Sequence, residues 1–181
     1  MQNRVAIQKR YRPSAFQLAA ATIFAALVAT VTYVTYILIV TTSGAYFNLG
    51  EAIIYTAALL LGPFVGLIAG TGAAIADVSL APAYVPATFI IKAIEGFLVG
   101  YMIKKLSKKI RNLTLCTSIA ILIGGFEMVG GYFVYESFMW GYPVALGGIP
   151  FNIIQMLAGW IIAVPVIHSV LRVFPQLKNY L

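Results

Sequence analysis

All five acidic side chains of the chain, Glu51, Asp77, Glu95, Glu127 and Glu136, stand within long apolar runs or at their edges, and Lys92 stands among them. An ionised side chain at the centre of a membrane helix costs roughly 2.5–3.5 kcal/mol on insertion scales, so groups kept there answer to one another or to a ligand. Lys92 and Glu95 are spaced i, i+3 and share a helix face, where they can pair. Asn152 and Gln155 repeat that spacing in a later run, and Asn48 lies in a polar stretch just before Glu51. Such a set can hold a small polar molecule, neutralise itself inside a bundle, or pass protons. Asp77, Glu95 and Glu127 could also be offered to a metal ion, but Lys92 competes for the charge that a metal needs. Tyr46, Phe47, Tyr84, Tyr132, Tyr135, Trp140 and Tyr142 fall in the neighbouring loops and helix ends. Aromatic walls with a few convergent polar anchors are how small organic ligands are held. Two plainer readings stand beside this one: Lys92 and Glu95 neutralise each other, and Glu51 and Glu136 are solvated helix ends.

The elements that position these residues are membrane helices. Of 181 residues, 61% are hydrophobic and 9% charged, against roughly 25% charged in a soluble domain. The spacing of apolar runs and breakers predicts an all-α membrane protein, a single transmembrane domain over 1–181 with helices at 14–41, 51–61, 63–78, 87–106, 113–135 and 149–173. Gly62 and Pro63 divide one overlong run into two short helices, because proline is at home in a first helical turn. Pro82 and Pro86 mark a loop, and 136–148, rich in aromatics and glycine, reads as another. The basic N-terminal stretch followed by an apolar run resembles a signal peptide, but the run is too long for one and reads as the first transmembrane helix.

Every Lys and Arg except Lys92 falls at the N-terminus (Arg4, Lys9, Arg10, Arg12), in one loop (Lys104, Lys105, Lys108, Lys109, Arg111) or near the C-terminus (Arg172, Lys178). By the positive-inside rule both termini are then cytoplasmic, in a multi-pass protein of the cell membrane. The net charge of +7 is thus a topology signal and not a nucleic-acid footprint. The acids and Lys92 then converge on the outer half of the bilayer. Cys116 is the one cysteine, which excludes an intrachain disulfide. His168 lies at the cytoplasmic end, far from the acids. No phosphate-binding loop, HExxH or nucleophile–base pair is present, so no enzyme is expected.

Small residues recur every fourth position: Ala21, Ala25 and Ala29 on the first helix, Gly62, Gly66, Gly70 and Ala74 around the third, Gly96 and Gly100 on the fourth. In lipid such stripes let helices approach closely. The later stripes read as packing within the bundle. The first stripe could equally face another protein.

Five segments together resemble the substrate-binding S components of energy-coupling factor (ECF) vitamin transporters, in the riboflavin-transporter-like branch: YFNLGE (46–51), LGPFVG (61–66), AGTGAAIAD (69–77), IKAIEGF (91–97) and IPFNIIQ (149–155). The resemblance covers nearly the whole chain. It implies a six-helix bundle with a substrate site near the outer surface, and a partner module of a transmembrane coupling protein and two ATPases. ATP would be used by those partners, with no cofactor bound by this chain. It also implies that Ala21, Ala25 and Ala29 form the docking surface and that 42–50 forms a lid. Glu51, Asp77, Lys92, Glu95, Asn152 and Gln155 would line or support the pocket, and Asn48, Glu127 and Trp140 join them from the reading of the residues. The ligand is then riboflavin, or a smaller pyridoxine- or hydroxymethylpyrimidine-like molecule, which the density of acids favours. The rival is a stand-alone proton- or ion-coupled carrier, motivated by Glu95 and Glu127.

Overall fold

The computed structural model describes residues 13–38 and 46–180, so Arg4, Lys9, Arg10, Arg12 and the part of the expected lid at 42–45 lie outside the described residues. Six α-helices make up the described chain: α1 (Ala15–Val34), α2 (Gly50–Leu61), α3 (Pro63–Leu80), α4 (Val85–Leu106), α5 (Leu113–Trp140) and α6 (Tyr142–Val173). All but α2 are long and apolar enough to cross a membrane. At 12 residues, α2 reaches only about 18 Å against a hydrocarbon core of about 30 Å. It is instead the interior helix. Every residue of α2 except Ile53 is buried, as expected of a helix apolar on all sides.

The first helix ends earlier than its apolar run suggests. Ser14 opens α1 with a capping box to Gln17, and Thr35 closes it. The run that follows is β-branched and aromatic, and Ile37–Leu38 (β1) pairs antiparallel with Tyr46–Phe47 (β2). Residues of that kind fit a pleated strand as readily as a membrane helix, and hydropathy alone does not separate the two. At the other end of the chain the expected loop at 136–148 is helical. The α5 helix runs to Trp140, Gly141 turns the corner at φ 90°, and α6 starts at Tyr142. Gly147, Gly148 and Pro150 lie inside α6, where surrounding helices make such residues tolerable. Between α3 and α4, Pro82–Tyr84 form a single 3-10 turn, and α4 begins at Val85.

The small-residue stripes of α3 and α4 meet each other. A methyl group placed on Gly66 would collide with the Gly96 carbonyl, one on Gly96 with the Gly66 carbonyl, and one on Gly70 with the Lys92 carbonyl. Gly62, at φ 88°, turns the chain from α2 into α3 beside the Lys104 side chain. Gly66→Ala is therefore expected to lower the unfolding temperature in detergent, at a cost of roughly 1–3 kcal/mol for forcing the backbones apart. Gly130→Ala, with nothing within 4 Å of the added methyl, should leave it unchanged or raise it slightly.

The α1 stripe is turned the same way, into the bundle. Ala21 and Ala25 are 2% and 9% exposed, and Ala29 is half-buried. Gly72 of α3 lies against the Ala25 carbonyl with no room for a side chain between them. A four-residue repeat of alanines marks close approach without saying to what. The face of α1 that remains open carries Phe16, Ile23 and Leu27.

The helices alternate in direction, so the two ends of the bundle differ. One end carries Lys104 and Lys105 in the last turn of α4 and Arg172 in the last turn of α6. The opposite end holds Tyr46 on Asp77, Tyr84 on Glu136 and Tyr135 on the Ala83 carbonyl.

Candidate functional site

At the end opposite the basic cluster, β2, α3, α4, α5 and α6 surround a pocket lined by Tyr46, Asn48, Asp77, Tyr84, Thr88, Lys92, Tyr132, Glu136, Asn152 and Gln155, with Ala73. The space between these side chains is about 410 Å³, open solvent at the mouth included.

Beneath the pocket lies a buried ionic network. Lys92, 2% exposed, donates to Glu51 Oε1 and, over 3.2 Å, to Glu95 Oε2. Glu95 is fully buried, and its second oxygen accepts the Tyr55 hydroxyl at 2.7 Å. Gln155 donates its amide to Glu51 Oε1 at 2.7 Å, and its carbonyl accepts from the backbone and side chain of Asn48. Asn48 Oδ1 in turn accepts Gly50 N–H at 2.7 Å. One chain of hydrogen bonds therefore runs from α4 through α2 and α6 to the segment that follows β2. A buried charge is tolerable only when paired and bonded in this way.

The wall above is acidic and aromatic. Asp77, 1% exposed, accepts the Tyr46 hydroxyl. Burial, then the Asp77 charge, pushes the Tyr46 phenol far above its ordinary value, so it remains a donor. Thr88 and Tyr132 hydroxyls are 3.0 Å apart, and the Tyr132 ring centroid lies 5.4 Å from Lys92 Nζ. Tyr84 stacks on Trp140 with centroids 5.1 Å apart.

Most residues expected from the sequence thus come together, in layers. Asn48, Asp77, Lys92, Asn152 and Gln155 face the cavity, while Glu51 and Glu95 lie behind Lys92 and hold it. Trp140, expected in a loop, is the last residue of α5 and reaches the pocket only through Tyr84. Glu127 is not among the lining residues. It is half-buried on α5, between Gly124, which α4 approaches at Glu95, and Gly131, which meets Ile91. One further residue enters that the sequence reading left open between the converging acids and a solvated helix end. Glu136 is 1% exposed and lines the pocket. The signal that could have found it is its distance from any charge-rich loop, together with Gly148 in the facing helix. A methyl group at Gly148 would collide with its carboxylate. Among the described residues no group of three or more His, Cys, Asp or Glu is placed to hold a metal ion.

Fold and site define a multi-pass helical membrane protein with a polar, aromatic-walled cavity at one end of the bundle. Residues 13–172 match the family described as "ECF-type riboflavin transporter, S component". The chain belongs to that family, which is one of transporter subunits. It is similar to a protein of Pyrococcus woesei described as an "uncharacterized protein in gap 3'region", with 35% identity over 66% of this chain and 78% of that one. It is also similar to the "thiamine precursor transporter HmpT" of Lactococcus lactis subsp. cremoris, with 29% identity over 67% of each chain.

Proposed function

We propose that this chain captures a compact, hydrogen-bond-donating vitamin or vitamin precursor in the pocket above Lys92 and presents it to an ECF module for ATP-driven uptake. The observation that carries the reading is the charge balance of the cavity. Its one cation, Lys92, is already engaged by Glu51 and Glu95, which leaves Asp77 and Glu136 facing the space. Such a wall favours a ligand that donates hydrogen bonds over one that only accepts them. A pyridoxine- or hydroxymethylpyrimidine-sized ring suits this space better than riboflavin, which calls for a large, flat apolar slot. The relative named for a thiamine precursor supports the smaller ring. The pocket end would face outward and the basic end the cytoplasm, by the positive-inside rule. ATP would be used by two ATPase partners joined through a transmembrane coupling protein.

The test is a binding panel on the purified, ligand-free chain, following Trp and Tyr fluorescence. Riboflavin, pyridoxine, pyridoxamine, thiamine and 4-amino-5-hydroxymethyl-2-methylpyrimidine form the panel. Stoichiometric, tight binding of one small-ring compound without ATP is expected. Tight binding of riboflavin alone would overturn the substrate class, and no binding by folded protein would overturn the reading itself. The carrier alternative draws on Glu127, half-buried in a spanning helix with one oxygen lacking a partner among the described residues. Uptake into vesicles containing this chain alone, driven by an ion gradient, would establish it instead.

A further inference from the structure

Three carboxylate oxygens are buried without a hydrogen-bond partner among the described residues: Glu51 Oε2, Glu127 Oε2 and Glu136 Oε2. Of the three residues, only Glu136 contributes to the pocket wall. Its other oxygen accepts the Tyr84 hydroxyl at 2.9 Å, which fixes the carboxylate plane without neutralising it. Lys92 is spent on Glu51 and Glu95, and Glu136 has no salt-bridge partner among the described residues. Leaving a buried acceptor unmet costs roughly 1–3 kcal/mol, and more where it is charged. A site that keeps such an acceptor is completed by a donor that arrives with the ligand.

The surroundings say what kind of donor. Tyr84 is flanked by Tyr132, Tyr135 and Trp140, with ring centroids 6.1, 5.8 and 5.1 Å from its own. Aromatic faces grouped beside a carboxylate suit an amine or a protonated ring, since both the ring quadrupoles and the acid attract positive charge. Gly148 completes the corner. Any side chain there would meet the Glu136 carboxylate first, with Oε2 nearest.

We infer that Glu136, seated between Tyr84 and Gly148, is the acceptor for an amino group of the ligand and sets a preference for amine-bearing rings over their hydroxyl or oxo counterparts. This rests on the proposed reading of the pocket as a vitamin-precursor site. It assigns to the α5–α6 corner the task of telling apart ligands that fill the same space.

The test uses two matched pairs on the purified full chain: pyridoxamine against pyridoxine, and 4-amino-5-hydroxymethyl-2-methylpyrimidine against its 4-oxo counterpart. The native chain is expected to favour the amine in at least one pair by tenfold or more. Glu136→Gln, which keeps the shape and an acceptor for Tyr84 but offers N–H to the ligand, should reduce that ratio to near one or reverse it. Most of that change should come from weaker binding of the amine compound. Gly148→Ala, whose methyl meets the end of the Glu136 side chain first, should weaken the amine compound most and serves as the second variant if Glu136→Gln does not fold. An unchanged ratio in both variants, with binding retained, overturns the assignment while leaving the pocket reading intact. Binding of riboflavin alone by the native chain, or of no panel compound, overturns the pocket reading and the assignment with it.

Discussion

Replacing Lys92 by Leu is expected to abolish ligand binding and to lower the unfolding temperature of the purified chain more than any other single substitution in the pocket. Lys92 Nζ is shared between Glu51 and Glu95, and all three residues are at most 2% exposed. Removing one partner of a buried ion pair costs roughly 3–5 kcal/mol, because the remaining charge keeps its desolvation penalty and loses its compensation. Here two carboxylates are orphaned at once. The Tyr55 hydroxyl on Glu95 and the Gln155 amide on Glu51 remain, but neither carries a charge. The companion that separates stability from binding is Lys92→Leu combined with Glu51→Gln and Glu95→Gln. Neutral residues in all three places should recover most of the stability, since well-packed neutral groups often match or exceed a buried ion network. Binding should not return, because the ammonium that faces the cavity is gone. If Lys92→Leu alone binds the panel compound within threefold of the native chain, the network is a neutralising core feature and has no part in recognition.

The parts of this site that the sequence disclosed are those where a rare residue type coincided with a helical interval. Lys92 and Glu95 three residues apart, or Asn152 and Gln155, declare a shared face by arithmetic alone. Their depth follows from position along an apolar run. What the arithmetic leaves open is which way a face turns. The alanines at 21, 25 and 29 have the spacing of a docking stripe, yet Ala21 and Ala25 are buried in the isolated chain, and Gly72 of α3 lies against Ala25. Glu127 and Glu136 lie on the same helix, and only the second enters the pocket wall. That difference depends on the α5–α6 corner. The glycines and Pro150 near it read as breakers in isolation but lie within a helix once neighbouring helices shield the backbone. With 136–148 taken as a loop, Glu136 is equally a solvated helix end. With that segment helical, it faces Gly148. The early end of α1 was hidden for a related reason, since a β-branched apolar run serves a strand and a membrane helix equally well.

Gln155→Leu is expected to raise the ligand dissociation rate and weaken affinity by 100-fold or more, at nearly equal side-chain volume. Gln155 is 5% exposed and is the one described side chain that bonds both Glu51 on α2 and Asn48 beyond β2. Leucine would leave the Asn48 backbone N–H and part of the Glu51 carboxylate without their partners, each worth roughly 1–3 kcal/mol when buried. A 100-fold change corresponds to about 2.8 kcal/mol, so the loss of both bonds together reaches it. The kinetics then distinguish two roles. If Gln155 only touches the ligand, Asn48→Ala, which spares Glu51 and removes only the edge that Asn48 itself gives the cavity, should change dissociation much less than Gln155→Leu. If Gln155 also holds 46–50 over the cavity, Asn48→Ala should release ligand faster too, because Asn48 joins that segment to Gln155 and caps Gly50 N–H. Gln155→Glu sharpens the case. It keeps an acceptor for Asn48 but sets a second carboxylate against Glu51, so the hydrogen bond to Asn48 survives while the one to Glu51 becomes a repulsion. Affinity should fall further than in Gln155→Leu, with the excess relieved in a Glu51→Gln background. Stopped-flow rates from these four variants decide whether the segment after β2 is a fastening or a bystander. Gln155→Leu releasing ligand within threefold of the native rate would make it a bystander.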